Sequence, residues 1–289
     1  MDYEHPDYLI TPAQLKSRLD EPTLRIIDTT VFLVPGESGY RAQSGKGTYD
    51  QGHIPGAAFM DLIHAFSDTS TGLGFSLQKP DALADALGTL GIAPDNDVVL
   101  YSSGHMMWAT RAFWLLRYAG HTRVAVLNGG LDRWKAETQT ISEKPHNYPP
   151  TTYAANAQAE LFVDLAGMQH AMNIAGVCTV NTLSPDVYAG TGEMNYGRRG
   201  HIPSSLNLYY DDLLEDGNFK SADDLHAALS ANGMLEADRV ITYCGGGISA
   251  TIDAFACLLL GKNEVAVYDG SMSEWARNES LPLTMGEAP

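Results

Sequence analysis

The chain has 289 residues, enough for two domains at a prior of roughly 150 residues each, and a single small module is excluded. Its 44% hydrophobic and 18% charged residues suit ordinary buried cores and exclude wholesale disorder. A formal charge of −17, from 18 Lys and Arg against 35 Asp and Glu, repels phosphate backbones and argues against a nucleic-acid partner. No apolar run approaches the roughly 18 residues of a membrane span, and the acidic, polar start lacks the features of a leader. A soluble, cytoplasmic protein with no membrane partner is expected.

Taken in chain order, short β-branched or aliphatic runs at 24–27, 97–101 and 124–127 predict strands, and Leu83, Leu87 and Leu90 predict one apolar helix face. A Gly52-His53-Ile54-Pro55 tetrad lies between the first two runs, and Gly129-Gly130 precedes Trp134 after the third. A polar, proline-bearing stretch follows and reads as a connector. The pattern then repeats. Strands are predicted at 176–180, 239–243 and 265–268, a second tetrad runs Gly200-His201-Ile202-Pro203, and Asp269-Gly270 precedes Trp275. An offset of 142 pairs Leu83 with Leu225, Leu87 with Leu229, Tyr101 with Tyr243 and Phe113 with Phe255, a register that indicates a duplicated domain. The expected boundaries are 1–145 and 160–289, with 146–159 as linker. Alternating strands and helices with near-continuous apolar strands predict an α/β fold, each domain a mainly parallel sheet flanked by helices on both faces.

The three cysteines, Cys178, Cys244 and Cys257, include no CxxC pair, and the histidines supply no HxxxH or HExxH; a disulfide framework and a compact metal site are not expected. Cys178 and Cys257 lie in apolar runs and read as core. Cys244 is different. It follows a predicted strand end and opens Cys244-Gly245-Gly246-Gly247-Ile248-Ser249 ahead of an apolar helical stripe, the place in a parallel sheet where functional groups gather. Consecutive glycines let successive amides point into one concavity that suits an anion. A thiolate or a persulfide held there, near a helix amino end, is stabilised. A phosphatase loop would close with an arginine six residues after the cysteine; Ala250 stands there, so phosphate-ester hydrolysis is disfavoured.

With both tetrads, the two glycine–tryptophan blocks and this loop, the chain resembles the tandem-domain rhodanese family, the thiosulfate and 3-mercaptopyruvate sulfurtransferases. The resemblance covers nearly the whole chain. It implies two rhodanese-like domains, with Cys244 taking sulfane sulfur as a persulfide and passing it to a thiol, a thioredoxin-like protein or cyanide. The first domain looks inactive, because Ser102 stands where Cys244 does. No cofactor and no metal are implied. The neutral loop is similar to that of mercaptopyruvate-preferring members, although Gly246 replaces their inner serine. Val187 stands where an arginine that holds the donor's acid group is expected, so Arg198 and Arg199 become the candidates, with Gly245, Gly246, Gly247, Ile248 and Ser249 completing the donor site. His53 and His201 read as turn braces, and Phe32 and Trp108 as possible cleft walls. The expected small donor is 3-mercaptopyruvate; thiosulfate, or a persulfide relay or sensor with little small-molecule turnover, stands as the alternative.

Overall fold

The computed structural model describes residues 1–36, 39–138 and 140–289. The first half supplies strands β1 (Leu9–Ile10), β2 (Leu24–Asp28), β3 (Val31–Gly36), β4 (Gly39–Ser44), β5 (Ala57–Phe59), β6 (Asp97–Tyr101) and β7 (Val124–Leu127). The second supplies β8 (Phe162–Val163), β9 (Val177–Asn181), β10 (Leu206–Asn207), β11 (Leu214–Glu215), β12 (Asn218–Phe219), β13 (Arg239–Tyr243) and β14 (Val265–Tyr268). Each half builds one five-stranded sheet, ordered β1-β7-β6-β2-β5 and β8-β14-β13-β9-β10. All pairings within both sheets are parallel. The strand order is therefore the same twice. The central strands β6 and β13 bury every residue after their first, which is why their sequences read as unbroken apolar runs.

Register carries the repeat down to single residues. Asp28 pairs with Tyr101, and Asn181 with Tyr243, so both cores end level at the carboxyl edge of the sheet. The Tyr101 hydroxyl accepts the Ile54 amide at 3.3 Å, and the Tyr243 hydroxyl accepts the Ile202 amide at 3.0 Å. Both tetrad histidines are fully buried and stack on a tyrosine, His53 on Tyr49 at 3.9 Å and His201 on Tyr188 at 3.7 Å between ring centroids. Their backbones bridge to Ser142 and Thr284. The tetrads brace chain crossings and sit in the core.

The halves share one hydrophobic core. Helix Met107–Tyr118 packs on helix Ala250–Leu259. Phe113 meets Phe255 edge to face at 4.8 Å, Trp114 Nε1 donates to the Thr251 carbonyl at 3.3 Å, and the Thr110 and Thr251 hydroxyls lie 2.7 Å apart. The stretch expected as connector carries no helix or strand before a short turn at Ala159–Leu161. It is nevertheless tied to the first half: the Tyr148 hydroxyl donates to the Gly56 carbonyl at 2.7 Å, and the amides of Thr151 and Asn156 donate to Gly88 and Ala119. Among the described residues no helix is long and apolar enough to cross a membrane.

The Tyr243 hydroxyl also lies 2.6 Å from the Ser205 hydroxyl in the core. Tyr243→Phe should therefore orphan buried polar groups and lower stability by about 1–3 kcal/mol, read as a shifted urea midpoint at unchanged slope.

Candidate active site

β13 ends at Tyr243, helix Ala250–Leu259 begins at Ala250, and the intervening turn holds Cys244 at 2% exposure. One hydroxyl organises this turn. Ser271 Oγ accepts the amides of Cys244 and Gly247, each at 3.1 Å, and donates to the Tyr268 carbonyl at 2.7 Å. Ser271 has φ +49°, a left-handed conformation that costs a residue with a Cβ about 1–2 kcal/mol; its three bonds offset that cost. From the other side, Met272 and Ser273 amides donate to the carbonyls of Cys244 and Gly245 at 3.0 and 2.8 Å. With those groups engaged, the amides of Gly245, Gly246, Ile248 and Ser249 have no partner among the described residues. Backbone donors near a buried site are rarely left unpaired; these four are available to an anion beside the thiol.

The equivalent turn of the first half shows what was changed. There the amide of Ser103, the counterpart of Gly245, donates to Thr30 Oγ1 at 2.8 Å, and that hydroxyl bonds Asp28. The counterpart of Thr30 is Leu183, whose amide bonds Asn181 Oδ1 at 2.9 Å and whose side chain offers no acceptor. The Asp28-to-Asn181 and Thr30-to-Leu183 differences keep the turn and release the Gly245 amide. Ser102 itself donates to the His105 carbonyl at 2.8 Å.

The wall facing the loop comes largely from the first half. Arg111, 1% exposed, donates to the Gly247 carbonyl at 3.1 Å and to the Phe75 carbonyl at 2.5 Å, and pairs with Asp269 at 2.8 Å. Asp269 also accepts the Leu77 amide at 2.8 Å. The guanidinium is thus spent on holding the loop. Gly74 O and Ser273 Oγ lie 3.9 and 3.8 Å from where a Cβ on Gly246 would stand, and Tyr196 packs directly on Gly245. Burial, with the neighbouring Cys244 sulfur, pushes the Tyr196 phenol above its ordinary range, and burial, with Tyr209 and Asp211, does the same to Tyr210, so both stay neutral donors. Trp108, expected at the cleft, is buried against Phe75 at 5.2 Å; Phe32 lies beside Gly104 of the first turn.

The expected arginines stand differently. Arg198 donates to the carbonyls of Trp275, Ala276, Asn278 and Leu281, so it ties the carboxy-terminal segment down and has no fork left for a donor carboxylate. The reason is local: the chain after Trp275 carries a turn of carbonyls that a guanidinium satisfies. Arg199 Nη1 bonds the Gly190 and Gly192 carbonyls, and its other edge makes no bond among the described residues. The other two thiols are held inert by burial, which pushes Cys178 up to about 11 and Cys257 well above the ordinary thiol range. Among the described residues no group of three His, Cys, Asp or Glu side chains is placed to hold a metal. Arg111, Tyr196, Ser271 and Ser273 were not read from the sequence as site residues. For Ser271 a signal existed, since the repeat has Gly130 at its counterpart.

The profile of the rhodanese-like domain matches residues 11–137 and 184–278. The chain belongs to the rhodanese family. It is a sulfurtransferase with tandem rhodanese domains. This rhodanese is 32% identical over 275 residues to the 3-mercaptopyruvate sulfurtransferase of Escherichia coli (strain K12), covering 93% of this chain and 95% of the relative. It is 30% identical over 304 residues to the thiosulfate sulfurtransferase of Corynebacterium glutamicum, covering 99% and 93%. In three dimensions it is similar to the 3-mercaptopyruvate sulfotransferase SseA from Escherichia coli, with a TM-score of 0.78 at 28% identity over 92% of this chain and 99% of that one.

Two outcomes test the geometry of the rhodanese turn. Gly247 has φ +71°, and a Cβ there would stand 2.5 Å from the Asp269 carbonyl oxygen, whereas a Cβ on Gly246 would meet only ordinary contacts at 3.8 and 3.9 Å. Gly247→Ala should cost at least about 1–2 kcal/mol and most activity, and Gly246→Ala should keep the parent's melting temperature. Asp253 is fully buried with both oxygens unpartnered, and burial raises its carboxyl well above the ordinary range, helped by Cys244 and Asp212. The folded state therefore keeps a proton that the unfolded chain releases above about pH 3.9, so this group's contribution to stability falls as pH rises. Asp253→Asn should flatten the decline of melting temperature between pH 4 and pH 8.

Proposed function

We propose that Cys244 takes sulfane sulfur from 3-mercaptopyruvate in preference to thiosulfate, holds it as a persulfide, and passes it to a thiol, a thioredoxin-like protein or cyanide. The carrying observation is a thiol in the turn beside four amides that have no other partner among the described residues. Those amides stabilise the anionic sulfur both before and after transfer, because the thiolate attacks and the persulfide's outer sulfur also carries charge. Transfer rate then follows the thiolate fraction, the nucleophilicity of the sulfur and the leaving group. The three cysteines are free, which suits a reducing, cytoplasmic location.

The donor preference rests on charge. Thiosulfate brings two negative charges to a chain of net charge −17, and the loop holds no cation. Arg111, the guanidinium nearest the loop's backbone, is neutralised by Asp269. 3-Mercaptopyruvate brings one carboxylate, which the unbonded edge of Arg199 suits. Arg198 does not take that role here, because its donors are occupied.

After incubation with 3-mercaptopyruvate and removal of excess, intact mass should rise by one sulfur atom, and Cys244→Ser should show neither the gain nor turnover. Cys178→Ser and Cys257→Ser should keep the gain if they fold. Retained turnover in Cys244→Ser would end this reading. Arg199→Ala should raise KM for 3-mercaptopyruvate severalfold with kcat nearly unchanged, the signature of a lost uniform-binding contact.

A further inference from the structure

We propose that Tyr196 is the residue that makes this site selective for a keto donor, by donating its phenol proton to the oxygen on which charge develops as sulfur leaves. The inference rests on the Cys244 reading above and names the group that serves the donor's other end.

Three observations point to it. A Cβ on Gly245, the residue next to the thiol, would overlap the Tyr196 hydroxyl and the ring carbons beside it; the phenol thus occupies the space that a loop side chain would otherwise fill. No hydrogen bond engages that hydroxyl among the described residues, although the ring is packed against the core. Among the described residues the nearby cations have other tasks: the arginine that reaches the loop is paired with Asp269, Arg198 is bound to carbonyls, and the free edge of Arg199 is the one assigned above to the donor's carboxylate, which leaves the keto oxygen to Tyr196. A neutral donor, fixed in place, unpaired and adjacent to the nucleophile, is what a developing oxyanion requires. The segment that carries it is fastened on both sides, by Arg199 on Gly190 and Gly192 and by Arg198 on the carboxy-terminal turn, so the hydroxyl is held by backbone anchors outside the loop.

The chemistry balances without any further reactant. The Cys244 thiolate attacks the sulfur of 3-mercaptopyruvate and the new S–S bond forms as the C–S bond breaks. The electron pair of the broken bond passes into an enolate whose charge rests on the keto oxygen. The methylene carbon then takes up the proton that the donor's thiol loses, leaving pyruvate and the deprotonated persulfide. The Tyr196 hydroxyl bonds the keto oxygen weakly in the bound donor and strongly as the enolate forms. Thiosulfate transfers sulfur by breaking an S–S bond and releases sulfite, with no enolate oxygen, so the same hydroxyl gives it little advantage. Tyr196 acts on one donor class.

The test is Tyr196→Phe, which keeps the ring on Gly245 and removes only the hydroxyl. With 3-mercaptopyruvate, kcat should fall about tenfold to a hundredfold, the range for losing one hydrogen bond to a developing charge, while KM changes little. Single-turnover loading of Cys244 from excess thiosulfate, followed by intact mass, should stay within about twofold of the parent. As a second variant, 3-fluorotyrosine at position 196 keeps the shape, donates more strongly and should speed single-turnover loading from 3-mercaptopyruvate. Equal losses with both donors, or no loss with 3-mercaptopyruvate, would overturn the assignment while leaving the Cys244 persulfide in place. Failure of the parent protein to load from 3-mercaptopyruvate would overturn both.

Discussion

The active turn depends on one hydroxyl taking two amides. By accepting from Cys244 and Gly247, Ser271 Oγ fixes the first and fourth residues of the loop, and the donors between and beyond them are left to face an anion. The device is costly at its base, because Ser271 stands in a conformation that favours glycine. Strain of this kind persists only where the surroundings over-determine it, and here the Tyr268 carbonyl, the following helix and the loop carbonyls all do so. The half with Ser102 in place of the cysteine has Gly130 at the counterpart, at φ +57°. The fold requires the left-handed conformation at this point in both halves; only the second half attaches a hydroxyl to it.

The first half contributes by position. Its long helix supplies Arg111, which crosses to the partner loop, and the Phe75 and Gly74 carbonyls close the same side. A buried ion pair such as Arg111–Asp269 adds little net stability against an apolar substitute. What it does here is positional: Arg111 of the first half joins the Gly247 carbonyl, the Phe75 carbonyl and Asp269 at one point beside the turn. The repeat shows how such a division arises: the counterpart of Arg111 is Asp253, which is too short to cross the interface and is left buried without a partner.

Much of this was legible in the sequence, and the limit is physical. The strands at 97–101, 124–127, 239–243 and 265–268 coincide with β6, β7, β13 and β14, because interior parallel strands are apolar on both faces and announce themselves as runs. Edge strands of two or three residues, such as β1, β5, β8 and β10, are too short to show a period. The place of Cys244 in a turn between a strand end and a helix was readable because an apolar run, a glycine run and an apolar stripe follow one another there. Arg198 misled: an arginine before a turn looks available, and only the folded carboxy-terminal segment shows its donors already committed. Tyr196 and Arg111 were invisible because each meets the loop from a distant part of the chain, and spacing along the sequence carries no trace of that contact.

The ties of Arg198 also make one side of the thiol's enclosure depend on a remote stretch of chain. They hold the segment bearing Tyr196 to carbonyls of residues 275–281, and His201 bridges to Thr284. The pieces that bound the thiol on this side are far apart in the chain and meet only in the fold. Loosening residues 275–284 would therefore free the segment that bears Tyr196 and open this side of the Cys244 turn while leaving the parallel sheet paired.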